Sequence, residues 1–104
     1  MVIDISVVNV RAGKEEVFIA TFHQAWAKLG RVEGLDRWLL LRGVEKPRQF
    51  IFYGEWRSVE DHVALAKQPG YETLLAAIGP YLEGSPEILH YSPSPAPKTG
   101  TQTK

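Results

Sequence analysis

Residues 2–10 place Ile3, Ile5 and Val7 on one side of an extended chain and Asp4 and Ser6 on the other. Their β-branched side chains favour a strand over a helix. Arg11-Ala12-Gly13 ends this run, after which Phe18, Phe22, Ala25, Trp26 and Leu29 recur on one helical face, with Lys14, Glu15, Gln24 and Lys28 elsewhere. Gly30 and Gly34 bracket the exit of that helix. The Leu- and Trp-rich run Leu35 to Arg42 is short enough for a second strand and is bounded by Gly43. Glu45-Lys46-Pro47 reads as a turn, and Gln49 to Trp56 is an aromatic third strand. Because a parallel pair needs a crossover of a dozen or more residues, so short a connection predicts an antiparallel hairpin.

Ser58 offers a hydroxyl to the free amides of a second helix, and Glu60 and Asp61 stand where the helix dipole favours negative charge. Pro69-Gly70 interrupts that helix, and the pattern resumes through Tyr71, Leu74, Leu75 and Ile78, so two helical pieces are expected. Glu87 to Tyr91 is the last strand, between Pro86 and Pro93. The order β-α-β-β-α-β predicts an α+β domain of ferredoxin-like topology, an antiparallel sheet with its helices on one face. Both faces of the strands are apolar: Val2, Val8 and Val10 oppose Ile3, Ile5 and Val7, and Ile51 and Tyr53 oppose Phe50, Phe52 and Trp56. A homodimer in which two sheets pack together would cover the second face.

Composition narrows the function more than the fold. Twelve basic side chains balance twelve acidic ones, and no Lys/Arg cluster stands out, so nucleic acid is not an expected partner. The chain has no cysteine, which removes disulfides, thiolate metal sites and thiol catalysis. The apolar opening carries Asp4, lacks a basic leader and is too short to span a bilayer, so a cytoplasmic protein without a membrane segment is expected. One domain over residues 1–92 is followed by a Pro- and Ser-rich stretch over 93–104, read as a disordered tail.

Val10 to Glu16, Val32 to Leu35, Gly54 to Asp61 and Gln68 to Tyr71 together resemble the antibiotic biosynthesis monooxygenase family of small dimeric α+β barrels. Val10-Arg11-Ala12-Gly13-Lys14-Glu15-Glu16 is similar to that family's strand, Pro-Gly-Lys and helix opening, with alanine in place of proline. Val32-Glu33-Gly34-Leu35 is similar to its entry into the second strand, and Gly54 to Asp61 to the tryptophan, serine and acidic pattern that caps its second helix. Gln68-Pro69-Gly70-Tyr71 matches its helix break, so the resemblance spans residues 2–91. It implies a dimeric barrel and, for the quinone-forming branch, oxidation of phenols by molecular oxygen with no metal or flavin. Such chemistry needs a dry aromatic pocket and a proton acceptor.

The resemblance directs attention to four residues. Trp56 and Phe52 share the strand face that lines the family's cavity, where they are candidate walls for a planar substrate or simply core aromatics. His62 stands in the second helix where relatives often carry an aromatic residue. It is the candidate catalytic proton acceptor, because an imidazole titrates near neutrality; the plainer reading is a partly exposed helix histidine. Asn9, near the end of the first strand, could bind a carbonyl or an oxygen intermediate, or make an ordinary turn contact. His23 and His90 have no partner at metal-ligand spacing, so no metal is expected. The tryptophan and haem-ligating histidine of the haem-degrading branch fall on Leu65 and Leu75, and the arginine of the quinone-forming branch also falls on Leu75.

The expected function is that of a cofactor-independent monooxygenase-like homodimer acting on a small aromatic or quinol substrate. The alternative is a non-catalytic dimeric module that binds a small molecule. Fold alone does not separate these, since one fold hosts many chemistries.

Overall fold

The computed structural model describes residues 1–94, and the tail expected over 93–104 lies outside the described residues from position 95 onward. Strand β1 (Val2–Val10) leads into helix α1 (Glu15–Ala27), followed by the hairpin of β2 (Leu35–Arg42) and β3 (Gln49–Trp56). Helices α2 (Val59–Ala64) and α3 (Tyr71–Ile78) then precede β4 (Leu82–Tyr91). The strands form one antiparallel sheet in the order β2-β3-β1-β4, the α+β arrangement expected for ferredoxin-like topology.

Register decides which side chains meet on the helix-covered face. Ser6 pairs with Phe52, which pairs with Leu40; Asp4 pairs with Gly54, which pairs with Trp38; Val2 pairs with Trp56, which pairs with Leu35. On the other side of β1, Ser6 meets Ile88 and Asp4 meets His90. Directly opposed residues project to the same face, so these rows form the floor beneath the helices. Helix α1 lays Phe18, Phe22 and Trp26 on that floor, and α3 adds Leu74 and Ile78. Ring contacts tie the layers together: Phe18 to Phe50 at 4.9 Å, Trp26 to Phe52 at 5.1 Å and Trp26 to Trp38 at 5.2 Å between centroids. Aromatic pairs at such spacings add about 0.5–1.5 kcal/mol each beyond their buried area.

The second helical region is held by local polar chemistry. Ser58, in extended conformation, accepts the Asp61 amide at 3.1 Å and so caps α2. Arg57 donates to both Asp61 carboxylate oxygens, at 2.7 and 3.0 Å. Asp61 in turn packs on Gly34, where φ is +80° and an added Cβ would come within 2.6 Å of the Asp61 side chain. Proline disfavours helix in the residue before it, and Gln68 is extended ahead of Pro69, which separates α2 from α3. The Gln68 amide donates to the carbonyls of Leu29 and Arg31, fastening this break to the exit of α1.

Strand β4 starts at Leu82, five residues before the expected Glu87. The early portion contains Gly84, at φ +67°, and Pro86, and the β1 register shifts between Val7 and Asn9. An edge strand accommodates a proline and a bulge because one of its sides needs no hydrogen-bonding partner, which is why this portion pairs despite its turn-like composition.

The far face of the sheet carries no helix. Leu41, Ile51 and Val7 form one row across it, Leu39, Tyr53, Ile5 and Leu89 the next, and Ile3 and Tyr91 a third. Leu39, Leu41, Leu89 and Tyr91 are each between 39% and 50% exposed.

Candidate active site

A cavity of about 240 Å³ lies between the sheet and the helices. Phe18, Phe22, Trp26, Phe52, Leu65 and Leu74 are among its apolar wall residues. Asp4, Ser6, His62 and Tyr71 also line it. An apolar cavity of about 150 Å³ already accommodates benzene, so this space takes a single ring with substituents or a compact fused pair.

The polar groups converge on one carboxylate. Asp4 is fully buried, at 0% exposure. Ser6 donates its hydroxyl to Asp4 Oδ1 at 2.7 Å. His62 Nε2 stands 3.2 Å from Asp4 Oδ2, yet Oδ2 accepts no hydrogen bond among the described residues, so this is contact without good alignment. On the other side of its ring, His62 Nδ1 is 2.7 Å from His90 Nε2. Ser6, Asp4, His62 and His90 therefore form a continuous polar chain from the cavity wall to the exposed edge strand β4.

Trp56 sets the orientation of the imidazole. Its indole is fully buried and stacks on His62, with centroids 4.7 Å apart and planes 24° from parallel. Gly54 makes room for the indole: a Cβ there would lie 2.8 Å from Trp56 Nε1 and 3.0 Å from Phe52. The strand face that carries Phe50, Phe52 and Trp56 thus omits a side chain at the row that holds Asp4.

Burial also sets the charge on the histidine. The His62 side chain is only 13% exposed. Burial, the largest influence, lowers its pKa from the ordinary value; Asp4 pulls it up and His90 pushes it down, with a net downward shift. A buried imidazole of this kind is neutral at neutral pH and able to take a proton. Burial, and then the Asp4 carboxylate, raise the Tyr71 pKa, which keeps that phenol protonated.

The four residues singled out by sequence fall in different places. Phe52 and His62 line the cavity. Trp56 lies behind His62 rather than on the cavity surface, so it supports the imidazole instead of forming a wall. Asn9 is exposed on the opposite face, beside Gln49, Lys46 and Arg48, and the structure does not bring it to the cavity. The reason is parity: in β1 the even positions face the helices, and Asn9 belongs to the odd set with Ile3, Ile5 and Val7. His23 is exposed on α1. Leu65 and Leu75 both line the cavity. No group of three or more His, Cys, Asp or Glu suited to a metal occurs among the described residues.

Asp4, Ser6, Tyr71 and His90 are the site residues that sequence reasoning missed. Asp4 and Ser6 carried a signal, as two of the three polar interruptions, with Asn9, of the otherwise apolar stretch Val2–Val10. That signal acquires direction only once β1 is registered against β3, because antiparallel pairing puts Asp4 and Ser6 on the same face as Phe52 and Trp56.

An antiparallel α+β sheet covered by helices on one face, with an aromatic cavity between the layers, defines the class as a ferredoxin-like α+β fold. The sequence model for antibiotic biosynthesis monooxygenases matches residues 1–77, and the chain belongs to that family. Among solved structures, a Bordetella bronchiseptica protein assigned to the same family superposes with a TM-score of 0.81 at 22% identity, covering 89% of this chain and 96% of that one. A Nitrosomonas europaea protein with the same assignment gives 0.78 at 19% identity, covering 89% and 98%. SnoaB of Streptomyces nogalater, a cofactor-independent oxygenase, gives 0.75 at 20% identity, covering 93% and 97%. No curated protein sequence matches the chain.

Proposed function

We propose that this protein is a cofactor-independent monooxygenase that oxidises a one- or two-ring phenol or quinol with molecular oxygen. The observation that carries the reading is the fully buried Asp4 carboxylate on the wall of an aromatic cavity, in contact with a neutral histidine. Family membership and the likeness to an oxygenase that works without a cofactor support it.

In this reading a planar substrate lies against Phe52 and Trp26, with its hydroxyl toward Asp4 and His62. The pair removes the hydroxyl proton, His62 serving as the acceptor, and Trp56 holds the imidazole in place. The resulting phenolate is electron-rich enough to reduce oxygen itself. A phenol with a ring C–H gives up that hydrogen and the O–H hydrogen, one oxygen atom becomes the new carbonyl, and the other leaves as water. No external electron donor is required. The cavity's contribution is to exclude water from the phenolate and to hold it in one orientation.

The helix-free sheet face is proposed as the homodimer contact. Its apolar rows run across all four strands, and patches of this kind on a folded chain mark interaction surfaces.

Oxygen uptake on a panel of hydroquinones, naphthols and naphthoquinols, with and without chelator, tests the function. Uptake that survives the chelator and falls by about 10²–10⁴ in His62→Ala supports proton abstraction at this site. Tight binding of panel members with no uptake by the wild type would instead establish a binding module.

A further inference from the structure

The polar chain that begins at Asp4 does not end at His62. Asp4 on β1 and His90 on β4 are direct cross-strand partners, and His62 of α2 reaches down between them, touching Asp4 with Nε2 and His90 with Nδ1. Exposure rises along this path, from 0% for the Asp4 side chain through 13% for His62 to the exposed His90. A buried acid with one oxygen unpartnered is costly, about 1–3 kcal/mol for an unsatisfied polar group, and calls for a functional explanation.

We propose that His90 is a positioning residue that sets the His62 tautomer and links the buried pair of Asp4 and His62 to bulk water. This rests on the proposed function of the same site. His62 Nδ1 and His90 Nε2 stand 2.7 Å apart; with the shared proton on His62 Nδ1 and His90 Nε2 accepting it, His62 Nε2 is left without a proton and free to take one from a hydroxyl in the cavity. A substrate hydroxyl hands its proton to Asp4 Oδ2 or directly to His62 Nε2. The imidazolium then passes its Nδ1 proton to His90 Nε2, and His90 releases its Nδ1 proton to solvent. Proton balance over a turnover is zero, because a phenol plus oxygen yields a quinone plus water. The relay therefore keeps the proton away from the phenolate while oxygen adds, and returns one when the O–O bond breaks.

The charged surroundings fit this route. Asp4 faces His62 from β1 and His90 faces it from β4, while Tyr71 of α3 lines the same cavity and stays protonated. Along α2, Glu60 is exposed and Asp61 is turned to Arg57 and Ser58, so neither competes for the imidazole.

Two variants separate positioning from proton transfer. Glutamine at position 90 can still accept the His62 Nδ1 proton but cannot relay it, whereas alanine can do neither. Imidazole ¹⁵N spectra of the intact protein, which need no substrate, should show His62 as the Nδ1–H tautomer in the wild type and in His90→Gln, and a shift toward Nε2–H in His90→Ala. Oxygen uptake should fall at least tenfold in His90→Gln and be partly restored by added imidazole. A wild-type His62 in the Nε2–H form, or full buffer-independent uptake in His90→Gln, would overturn the proposal. If the wild type turns over no panel member, the proposed oxygenation fails by itself, and the tautomer alone decides whether His90 positions His62.

Discussion

The imidazole of His62 lies nearly flat against the indole of Trp56, and the stack exists because Gly54 has no side chain to occupy the indole's place. Alanine at position 54 would force the indole away from its site and tilt the imidazole off Asp4. Overpacking of a filled core costs about 1–3 kcal/mol. Urea unfolding of Gly54→Ala should show a loss in that range. Combining it with Trp56→Phe, which supplies a smaller ring, should cost less than the sum of the two single changes.

Asp4→Asn replaces the buried acid with a neutral amide while keeping an oxygen that can accept the Ser6 hydroxyl. Ionised groups taken out of water without complete pairing reduce stability, and functional sites commonly carry that burden. The variant should therefore unfold at the same urea concentration as the wild type or a higher one, while oxygen uptake falls about 10²-fold or more. Loss of stability together with unchanged uptake would show instead that Asp4 is a structural anchor.

Much of the fold was legible because each element announces itself locally. The aromatic alternation of Gln49 to Trp56 predicts a strand, and Ser58 ahead of Glu60 and Asp61 predicts the start of α2; both are found where expected. The site was legible only in part. Phe52 and His62 reach the cavity, but Asn9 was preferred to Asp4 because the choice between odd and even positions of β1 depends on pairing with a strand some 45 residues away. A one-residue slip in register exchanges the two faces completely. His90 was passed over for a related reason: its partner is 28 positions away and on a helix, beyond any local spacing rule.

Ile5 stands at the centre of the helix-free face, flanked by Tyr53 on β3 and Leu89 on β4. Ile5→Lys puts a charge where two sheets would meet and leaves the cavity face of β1 untouched. Light scattering at micromolar concentration should give a dimer for the wild type and a monomer for Ile5→Lys. A wild-type monomer at that concentration would remove the proposed sheet-to-sheet contact.

The depressed pKa of His62 makes stability depend on pH in a direction that can be worked out. Burial favours the neutral ring in the folded protein, so the folded pKa lies below the unfolded value of about 6.5. Between those two values the unfolded chain binds more protons, and stability rises with pH. The neutral ring's contribution is complete above about pH 6.5, shrinks as the pH falls, and is gone below the folded pKa. Asp61 acts in a different window. Its hydrogen bond from Arg57 lowers its pKa, so its contribution is present above the ordinary carboxylate range and is lost only in stronger acid. Urea midpoints from about pH 5 to 7.5 should therefore climb for the wild type and climb less for His62→Gln, which has no titrating ring. Parallel slopes in the two proteins would mean that His62 is not held neutral by the fold. In that case the ring would titrate near its ordinary value of about 6.5, and oxygen uptake limited by proton abstraction should fall as the pH drops through that value rather than through a lower one.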